Sequence, residues 1–378
     1  MAELLYNYCD GNNKKLKGVC FMDERYQMFK EFTEAHGAPG FEKPVRELMR
    51  KYISNYTHEI VQDNLGGIFG VKKSKDPFGP KVMVAGHMDE VGFMVTQITD
   101  KGFIKFQTLG GWWSQVLLAQ RVNILTAKGE VEGVIGSLPP HILPEDARKK
   151  PVELKKMFID IGADSKEEAE KIGIKPGQPI VPVTPFKVMS NPKKLMAKAW
   201  DNRFGCVLAV ELLKELMDTD LPNTLYAGAN VQEEVGLRGA QTAANLINPD
   251  IFFALDAGPA GDVPGAPEDA MGKLGEGVLI RIFDRSYITH QGMREYILDT
   301  AESLGLKYQY FVSPGGSTDT GRVHLHGSGV PSIVVAIPSR YIHSHASIIH
   351  YDDYLAAKDT LVALVKNLDK STYETIIT

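Results

Sequence analysis

Four short apolar runs in this chain are each followed by acidic or imidazole side chains. The runs and the groups that follow them are 81–86 with His87 and Asp89, 225–231 with Glu233 and Glu234, 251–255 with Asp256, and 333–337 with His343. Short apolar runs bounded by turn residues predict buried strands, and open α/β sheets present ligand-binding groups at the carboxyl ends of their strands. The sequence therefore predicts an α/β fold with a polar cluster at one sheet edge.

Helical patterns surround these predicted strands. Apolar residues recur at helical spacing between residues 23 and 56, where Gly37-Ala38-Pro39-Gly40 interrupts them, which predicts two helices joined by a turn. Further helices are predicted at 203–217, 240–246 and 354–368, and a further strand at 278–283.

Residues 91–184 have a different character. Short apolar runs such as Gly92-Phe93-Met94-Val95 alternate with glycines and prolines, and no helical period separates them. This spacing is typical of a small β-barrel or sandwich. We interpret the segment as an insertion that splits one α/β domain in sequence.

Charge and length exclude several classes of protein. The 378 residues suffice for about two domains. The net charge of −5, without a long basic block, disfavours nucleic acid and anionic membranes as partners. No segment approaches the roughly 18 uninterrupted apolar residues of a membrane span.

Cysteine content and the first residues indicate a cytoplasmic protein. The three cysteines, Cys9, Cys20 and Cys206, form no close pair, so we expect neither a disulfide framework nor a cysteine zinc site. Residues 1–22 mix acids, bases and Asn-Gly and lack the apolar run of a signal peptide.

Each polar motif alone also has a structural interpretation. Asp201, before a helical run, and Asp256, at a strand end, could be caps, and His87 and His343 could lie in surface turns. Together, carboxylates converging at one sheet edge are unfavourable unless cations neutralise them. Mixed imidazole and carboxylate donors suit zinc, cobalt or manganese.

The strings that carry these residues resemble the M42 family of metallo-aminopeptidases. They are GHMDEVGFMV, AKAWDNRFGC, VQEEVGLRGA, ALDAG and SRYIHSH, and the resemblance covers roughly residues 24–370. It implies a mixed-sheet zinc-peptidase catalytic domain of α/β class, formed by residues 23–90 and 185–378. It also implies that 91–184 is an inserted β-barrel used for dimerisation, and that 1–22 is a leader outside the match.

The resemblance implies two divalent metal ions per subunit, Zn²⁺ or Co²⁺ with Mn²⁺ as a further option. The implied ligands are His87, Asp201, Glu234, Asp256 and His343. Asp201 would bridge both ions, His87 and Asp256 would complete one site, and Glu234 and His343 the other.

The resemblance also implies roles for three residues that are not metal ligands. Glu233 becomes the general base, Asp89 orients His87, and His345 lines the site without binding metal. The loop 313–319 resembles a substrate-lining loop. The expected substrate contacts are Gly316, Thr318, Asp319 and Arg340.

The expected activity is hydrolysis of the N-terminal residue of peptides by a homo-oligomer of dimers that form a dodecamer. Arg238, Arg322 and Arg340 lie near the motifs and could favour acidic N-terminal residues, or could neutralise metal ligands. One alternative is a glycoside hydrolase with Trp112-Trp113 as a sugar platform, although we expect these residues to pack or form an interface. Another is a non-catalytic assembly protein.

Overall fold

The computed structural model describes residues 24–378 of the chain. The predicted leader 1–22, together with Cys9 and Cys20, lies outside the described residues. The third cysteine, Cys206, is a buried free thiol.

The strands fall into three groups in chain order. Before the insertion come β1 (Glu59–Gln62), β2 (Ile68–Lys72) and β3 (Lys81–His87). Within it come β4 (Gly92–Ile98), β5 (Ile104–Leu109), β6 (Arg121–Thr126), β7 (Gly129–Gly136), β8 (Phe158–Asp160) and β9 (Pro179–Pro182). After it come β10 (Lys187–Val188), β11 (Lys194–Ala197), β12 (Thr224–Asn230), β13 (Ile251–Pro259), β14 (Val278–Phe283), β15 (Tyr308–Val312), β16 (Ser332–Ser339) and β17 (Ser347–His350).

The described residues form ten α-helices. They are α1 (Glu24–Glu34), α2 (Lys43–Ile53), α3 (Glu145–Arg148), α4 (Lys166–Ile172), α5 (Trp200–Leu216), α6 (Arg238–Ile247), α7 (Gln291–Ser303), α8 (Thr320–Val323), α9 (Tyr351–Asn367) and α10 (Lys370–Ile377). Among these helices, none combines the length and the apolar character needed to cross a bilayer.

The main sheet has eight strands in the order β1-β2-β12-β3-β13-β16-β14-β15. Its four central strands, from β12 to β16, are parallel, whereas β2 and β14 run antiparallel to their central neighbours. Parallel strands that are buried on both faces are nearly continuous apolar runs, as β3 and β13 are here. The predicted mixed α/β sheet is confirmed.

Helices cover both faces of this sheet. On one face α5 packs on β3 and β12 while α9 packs on β16, and the core there includes Phe29, Phe204 and Tyr354, all fully buried. On the other face α6 and α8 cover a smaller core that includes Phe69 and Phe252. The central strands are therefore enclosed, and their carboxyl ends are the natural place for polar groups.

Strands β4 to β9 close into a barrel in the order β4-β5-β8-β7-β6-β9. Phe93, Ile104, Ile124 and Ile159 are fully buried inside it. Of the two forms that the glycine-punctuated pattern allowed, the structure has the barrel. The barrel follows β3 directly and leads back through β10, so it interrupts the α/β sheet in sequence.

Several predicted bounds differ from the structure. The helix expected to start at residue 203 starts at Trp200, and the φ/ψ angles of Asp201 and Asn202 inside it are not helical. The last predicted helix starts at Tyr351 instead of 354, because His350 caps it by accepting from the amide of Asp352. The elements that were not predicted include the hairpin β1–β2, the strands β10, β11, β15 and β17, and the helices α7 and α10. Of these, β1 is a short edge strand that is partly exposed.

Candidate metal centre

The carboxyl ends of the central strands bring four of the motifs together. His87 is the last residue of β3 and is paired with Asn230, the last residue of β12. Asp256 lies in β13 next to Ala336 of β16, and His343 follows the end of β16. Because these strands are parallel neighbours, their ends lie side by side. The acidic and imidazole side chains therefore converge at the carboxyl ends of the central strands, as predicted.

Asp201 reaches this edge from the face covered by α5. It lies one residue into that helix, at a cis peptide to Asn202, and the side chain of Asn202 donates to the carbonyl of Leu255 at 2.6 Å. Leu255 precedes Asp256. The start of α5 is thereby hydrogen-bonded to the strand that carries another acidic group of the cluster.

Within residues 24–378, the possible donor atoms form three groups, and the members of each group lie within 4.8 Å of one another. The groups are His87 with Asp201 and Asp256, Asp201 with Glu234 and His343, and His87 with Glu233 and Glu234. The first two groups share Asp201, and they contain all five residues that the sequence motifs indicated as ligands. Glu233 occurs only in the third.

Both histidines are oriented by backbone carbonyl groups. Nδ1 of His87 lies 3.0 Å from the carbonyl oxygen of Asp89, and Nδ1 of His343 lies 2.8 Å from that of Gly111. A carbonyl oxygen only accepts, so Nδ1 carries the hydrogen in each ring. The Nε2 atoms face the two oxygens of Asp201, at 3.0 Å for His87 and 3.2 Å for His343. These Nε2 atoms are the ones available to a metal ion.

Asp89 acts mainly on the loop that follows β12. Its Oδ1 accepts from the amide of Glu233 and its Oδ2 from the amide of Glu234, both at 3.0 Å, while Nδ1 of His87 is 3.4 Å from Oδ1. The orientation of His87 predicted for Asp89 thus comes from the backbone carbonyl more than from the carboxylate. The carboxylate fixes the two neighbouring glutamates.

The electrostatics indicate a deficit of positive charge. Burial, with the charges of Asp256 and Glu234, raises the pKa of Glu233 well above its usual value, although His87 opposes the shift. Burial also raises the pKa of Glu234 to about 8 and that of Asp256 to about 7. Oε1 of Glu234 is buried without a hydrogen-bond partner. Carboxylates in this situation fit bound cations.

The imidazoles respond in the opposite way. Burial lowers the pKa of His343, but the charges of Glu234 and Asp201 outweigh it and raise the value to about 10. Burial disfavours the charged form of Asp201 too, yet hydrogen bonds from His343 and His87 hold its pKa below the usual range. The donor set of nitrogen and carboxylate oxygen, and its negative charge, therefore suit divalent metal ions.

A buried network of charged side chains, formed by Glu90, Lys198 and Arg203, lies beside the site. Glu90 accepts from Nζ of Lys198 at 2.6 and 2.7 Å and from Arg203 at 3.2 Å, and it also accepts from the amide of Gly37. These residues flank His87 and Asp201 in sequence. Sequence reasoning missed the network, although all three charged residues lie within the quoted motif strings.

The four expected substrate contacts differ in exposure. Gly316 is exposed, with a φ of 73°, whereas the hydroxyl of buried Thr318 donates to Asp284. Asp319 is buried and accepts from Asn230 at 2.7 Å, and Arg340 is engaged by both oxygens of Asp262. Only Gly316 thus combines exposure with a position in the predicted loop.

His345 and the tryptophan pair lie on the barrel side of the site. Both ring nitrogens of buried His345 lack hydrogen-bond partners, and its ring centroid is 5.3 Å from that of Trp112. Trp112 stacks on Phe93, as expected of a packing residue, while Trp113 is 62% exposed.

Comparison with known proteins identifies the family. A family model described as M42 glutamyl aminopeptidase matches residues 66–360, and a model described as AMPT matches 23–49. The glutamyl aminopeptidase of Lactococcus lactis subsp. cremoris is 42% identical over 348 residues, which is 92% of this chain and 97% of that protein.

Solved structures agree with this match. A TET aminopeptidase from Thaumarchaeota archaeon SCGC AB-539-E09 is 45% identical, with a TM-score of 0.91 over 94% of this chain and 100% of that one. Pyrococcus horikoshii TET1 peptidase, described as assembling into a tetrahedron or a large octahedral shell, is 32% identical with a TM-score of 0.81 over 91% of this chain and 100% of that one. An endoglucanase structure from Thermotoga maritima is more distant, at 26% identity and a TM-score of 0.73, with 92% of this chain and 99% of that one covered. The chain belongs to the M42 family of metallo-aminopeptidases and is a peptide hydrolase.

Proposed function

We propose that this protein is a two-metal aminopeptidase that removes acidic residues from the N-termini of peptides. The observation that carries the proposal is the sharing of Asp201 between two donor groups, one with His87 and Asp256 and the other with Glu234 and His343. A carboxylate with both oxygens facing imidazole nitrogens is suited to bridge two ions. The ions would be Zn²⁺ or Co²⁺, with Mn²⁺ as a further option.

Two divalent ions in such a site would lower the pKa of an attacking water and polarise the scissile carbonyl. Glu233 is suited to take the proton of that water and return it to the leaving amine. Its side chain is buried beside His87, with Oε2 3.8 Å from Nε2, and Asp89 fixes its backbone.

The glycoside hydrolase alternative is weaker. The endoglucanase from Thermotoga maritima is more distant than the aminopeptidases, and glycosidases act with two carboxylates and no imidazole-bound ions. The sequence gives no support to the non-catalytic alternative, since all five proposed ligands and Glu233 are present.

The acidic preference is supported by the 42% identity to a protein named glutamyl aminopeptidase. Of the three arginines considered for this role, Arg322 is exposed, Arg238 is exposed with a bond of 3.3 Å to Gln232, and Arg340 is paired with Asp262. An acidic side chain could compete with Asp262 for Arg340, since bidentate carboxylate pairing is what guanidinium favours.

We also propose a dodecamer built from dimers through the barrel, in a cytoplasmic location. The assembly is supported by the TET1 relative, described as forming a tetrahedron, and by exposed apolar residues Leu138 and Ile142 in the barrel insertion. The location is supported by the low cysteine content and the free thiol of Cys206.

The metal-free protein should lose stability as the pH rises. Glu234, Asp256 and His343 have raised pKa values in the folded state, so between about pH 5 and 8 the folded protein binds more protons than the unfolded chain. The melting temperature of metal-stripped protein should fall across that window, and added Zn²⁺ or Co²⁺ should raise it more at pH 8 than at pH 6, because metal binding requires deprotonated ligands.

The loaded protein is the control for this measurement, because Glu42, with a pKa raised to about 7 by burial, titrates in both forms. Calorimetry of both forms at matched pH values would separate the effect of Glu42 from that of the metal-binding cluster. If the melting temperature of the metal-stripped protein rose from pH 5 to 8, the raised pKa values of Glu234, Asp256 and His343 would be contradicted.

Substitution of the two adjacent glutamates should give different defects. Glu233→Gln removes the proton acceptor but preserves shape, so metal content should stay near that of the wild type while kcat falls by about 10²–10⁴. Glu234→Gln removes an anionic ligand, so metal affinity should fall and excess metal should partly restore activity. Metal content and turnover of both variants test this. Metal loss in Glu233→Gln with retention in Glu234→Gln would reverse the two roles.

The acidic preference predicts a ranking of chromogenic aminoacyl substrates. Glutamyl and aspartyl substrates should exceed leucyl and lysyl ones in kcat/KM by about tenfold or more, which corresponds to about 1.4 kcal/mol of transition-state binding. Arg340→Met should lower kcat/KM for glutamyl substrates more than for leucyl ones. A tenfold advantage of leucyl or lysyl substrates would refute the preference and leave the metal mechanism intact.

The proposed assembly predicts a particle of about twelve times the 41.7 kDa chain mass. Native mass spectrometry at micromolar concentration tests this directly, and a sample of single chains would exclude it.

A further inference from the structure

The two histidines of the metal centre are oriented from different parts of the molecule. His87 receives its carbonyl partner from Asp89, two residues along its own strand end. His343 receives its partner from Gly111, which lies 232 residues away at the end of β5 in the barrel. The first contact is local to the sheet edge, whereas the second requires that the barrel be docked correctly.

The barrel segment 110–112 also approaches the site closely. A Cβ atom on Gly110 would lie 3.1 Å from Oε2 of Glu234, and one on Gly111 would lie 3.2 Å from Nδ1 of His343. The segment therefore lies against Glu234 and His343, the two residues that form one donor group with Asp201. A Cβ atom at position 110 or 111 would therefore press on Glu234 or His343, which would have to shift by a few tenths of an ångström.

The segment is anchored within the barrel, beside the start of β4. The indole Nε1 of Trp112 donates to the carbonyl of Gly92 at 3.0 Å, and its ring stacks on Phe93 with centroids 4.7 Å apart. Gly92 also pairs with Leu109, the residue before the segment. The carbonyl of Gly111 is thus held by the packing of β4 and β5.

We propose that the barrel segment 110–112 is a positioning element for His343, and through it for the ion held by Asp201, Glu234 and His343. The Gly111 carbonyl keeps the hydrogen on Nδ1 and turns Nε2 toward the two carboxylates, whose nearest oxygens are 3.2 and 3.4 Å away. An ion held by His87 and Asp256 would not depend on the barrel for the orientation of its histidine, because Nδ1 of His87 faces the carbonyl of Asp89. The inference rests on the two-ion site proposed above.

The test is Gly111→Ala in the full-length protein. The φ of Gly111 is not in the left-handed region, so alanine fits the backbone, and its Cβ would meet the His343 ring at 3.2 Å. Gly136→Ala is the matched control, because Gly136 lies in β7, also without left-handed φ, and its Cβ would meet the ring of Phe158 at 3.3 Å. Both variants add one methyl group to the barrel against an aromatic ring.

The readout is Co²⁺ binding by metal-stripped protein, measured as ions per chain, affinity against a competing chelator and visible absorption. The added methyl group should push the His343 ring away from the Gly111 carbonyl, which alanine retains. Disturbing the partner of a ligating histidine commonly lowers metal affinity by about 10- to 100-fold. In Gly111→Ala one of two binding events should weaken by about tenfold or more while the other keeps its wild-type affinity. Gly136→Ala should match the wild type in both, and the metal-free melting temperature of Gly111→Ala should match that of Gly136→Ala.

A second variant, Trp112→Phe, keeps the ring on Phe93 but removes the donor to Gly92. It should weaken the same binding event to a smaller extent. Two events of wild-type affinity in Gly111→Ala, or equal weakening of both with a lower melting temperature, would overturn the inference. If the wild type itself binds fewer than two ions, the two-ion proposal fails first, and the positioning role of the segment fails with it.

Discussion

The structure is organised around carboxylates that are brought into a protein interior at one sheet edge. Asp201, Glu233, Glu234 and Asp256 converge there, and burial alone makes their charged forms unfavourable. Two imidazoles offset part of this charge. The negative charge that remains is what a divalent cation would neutralise. Much of the surrounding structure holds these carboxylates together against their mutual repulsion.

The supporting interactions come mainly from residues adjacent in sequence to the proposed metal ligands. Glu90, next to Asp89, binds Lys198 and Arg203, which flank Asp201. This network joins the end of β3 to the start of α5 through charges that are themselves buried. Removal of one member of such a network leaves another charge unpaired, which typically costs about 3–5 kcal/mol. The network thus couples the stability of the α/β sheet and its helices to the geometry of two segments that carry proposed metal ligands, the end of β3 and the start of α5.

The sequence allowed prediction of the parts of the site that depend on residue type and strand position. His87, Asp256 and the two adjacent glutamates follow apolar runs, and apolar runs predict strands whose ends meet. Interactions through backbone atoms could not be predicted in this way. The carbonyl of Gly111 acts on His343 across 232 residues, and no residue type in the sequence signals a carbonyl contact. The role of the Asp89 carboxylate on the glutamate amides was missed for the same reason.

The pairing of His87 with Asp201 depends on how closely α5 approaches β3. A Cβ atom on Gly86 would lie 2.9 Å from the carbonyl carbon of Gly205, and one on Gly205 would lie 2.4 Å from Oδ1 of Asn202. Two glycines therefore allow helix and strand to meet backbone to backbone, and Cys206 uses the same approach to donate to the carbonyl of His87 at 3.3 Å. A larger residue at position 86 would push the helix outward, and Asp201 at its start would move away from the imidazole that it faces at 3.0 Å. A larger residue at position 205 would instead displace the side chain of Asn202, the neighbour of Asp201. The apolar packing of the sheet face thus sets the distance on which the proposed metal chemistry depends.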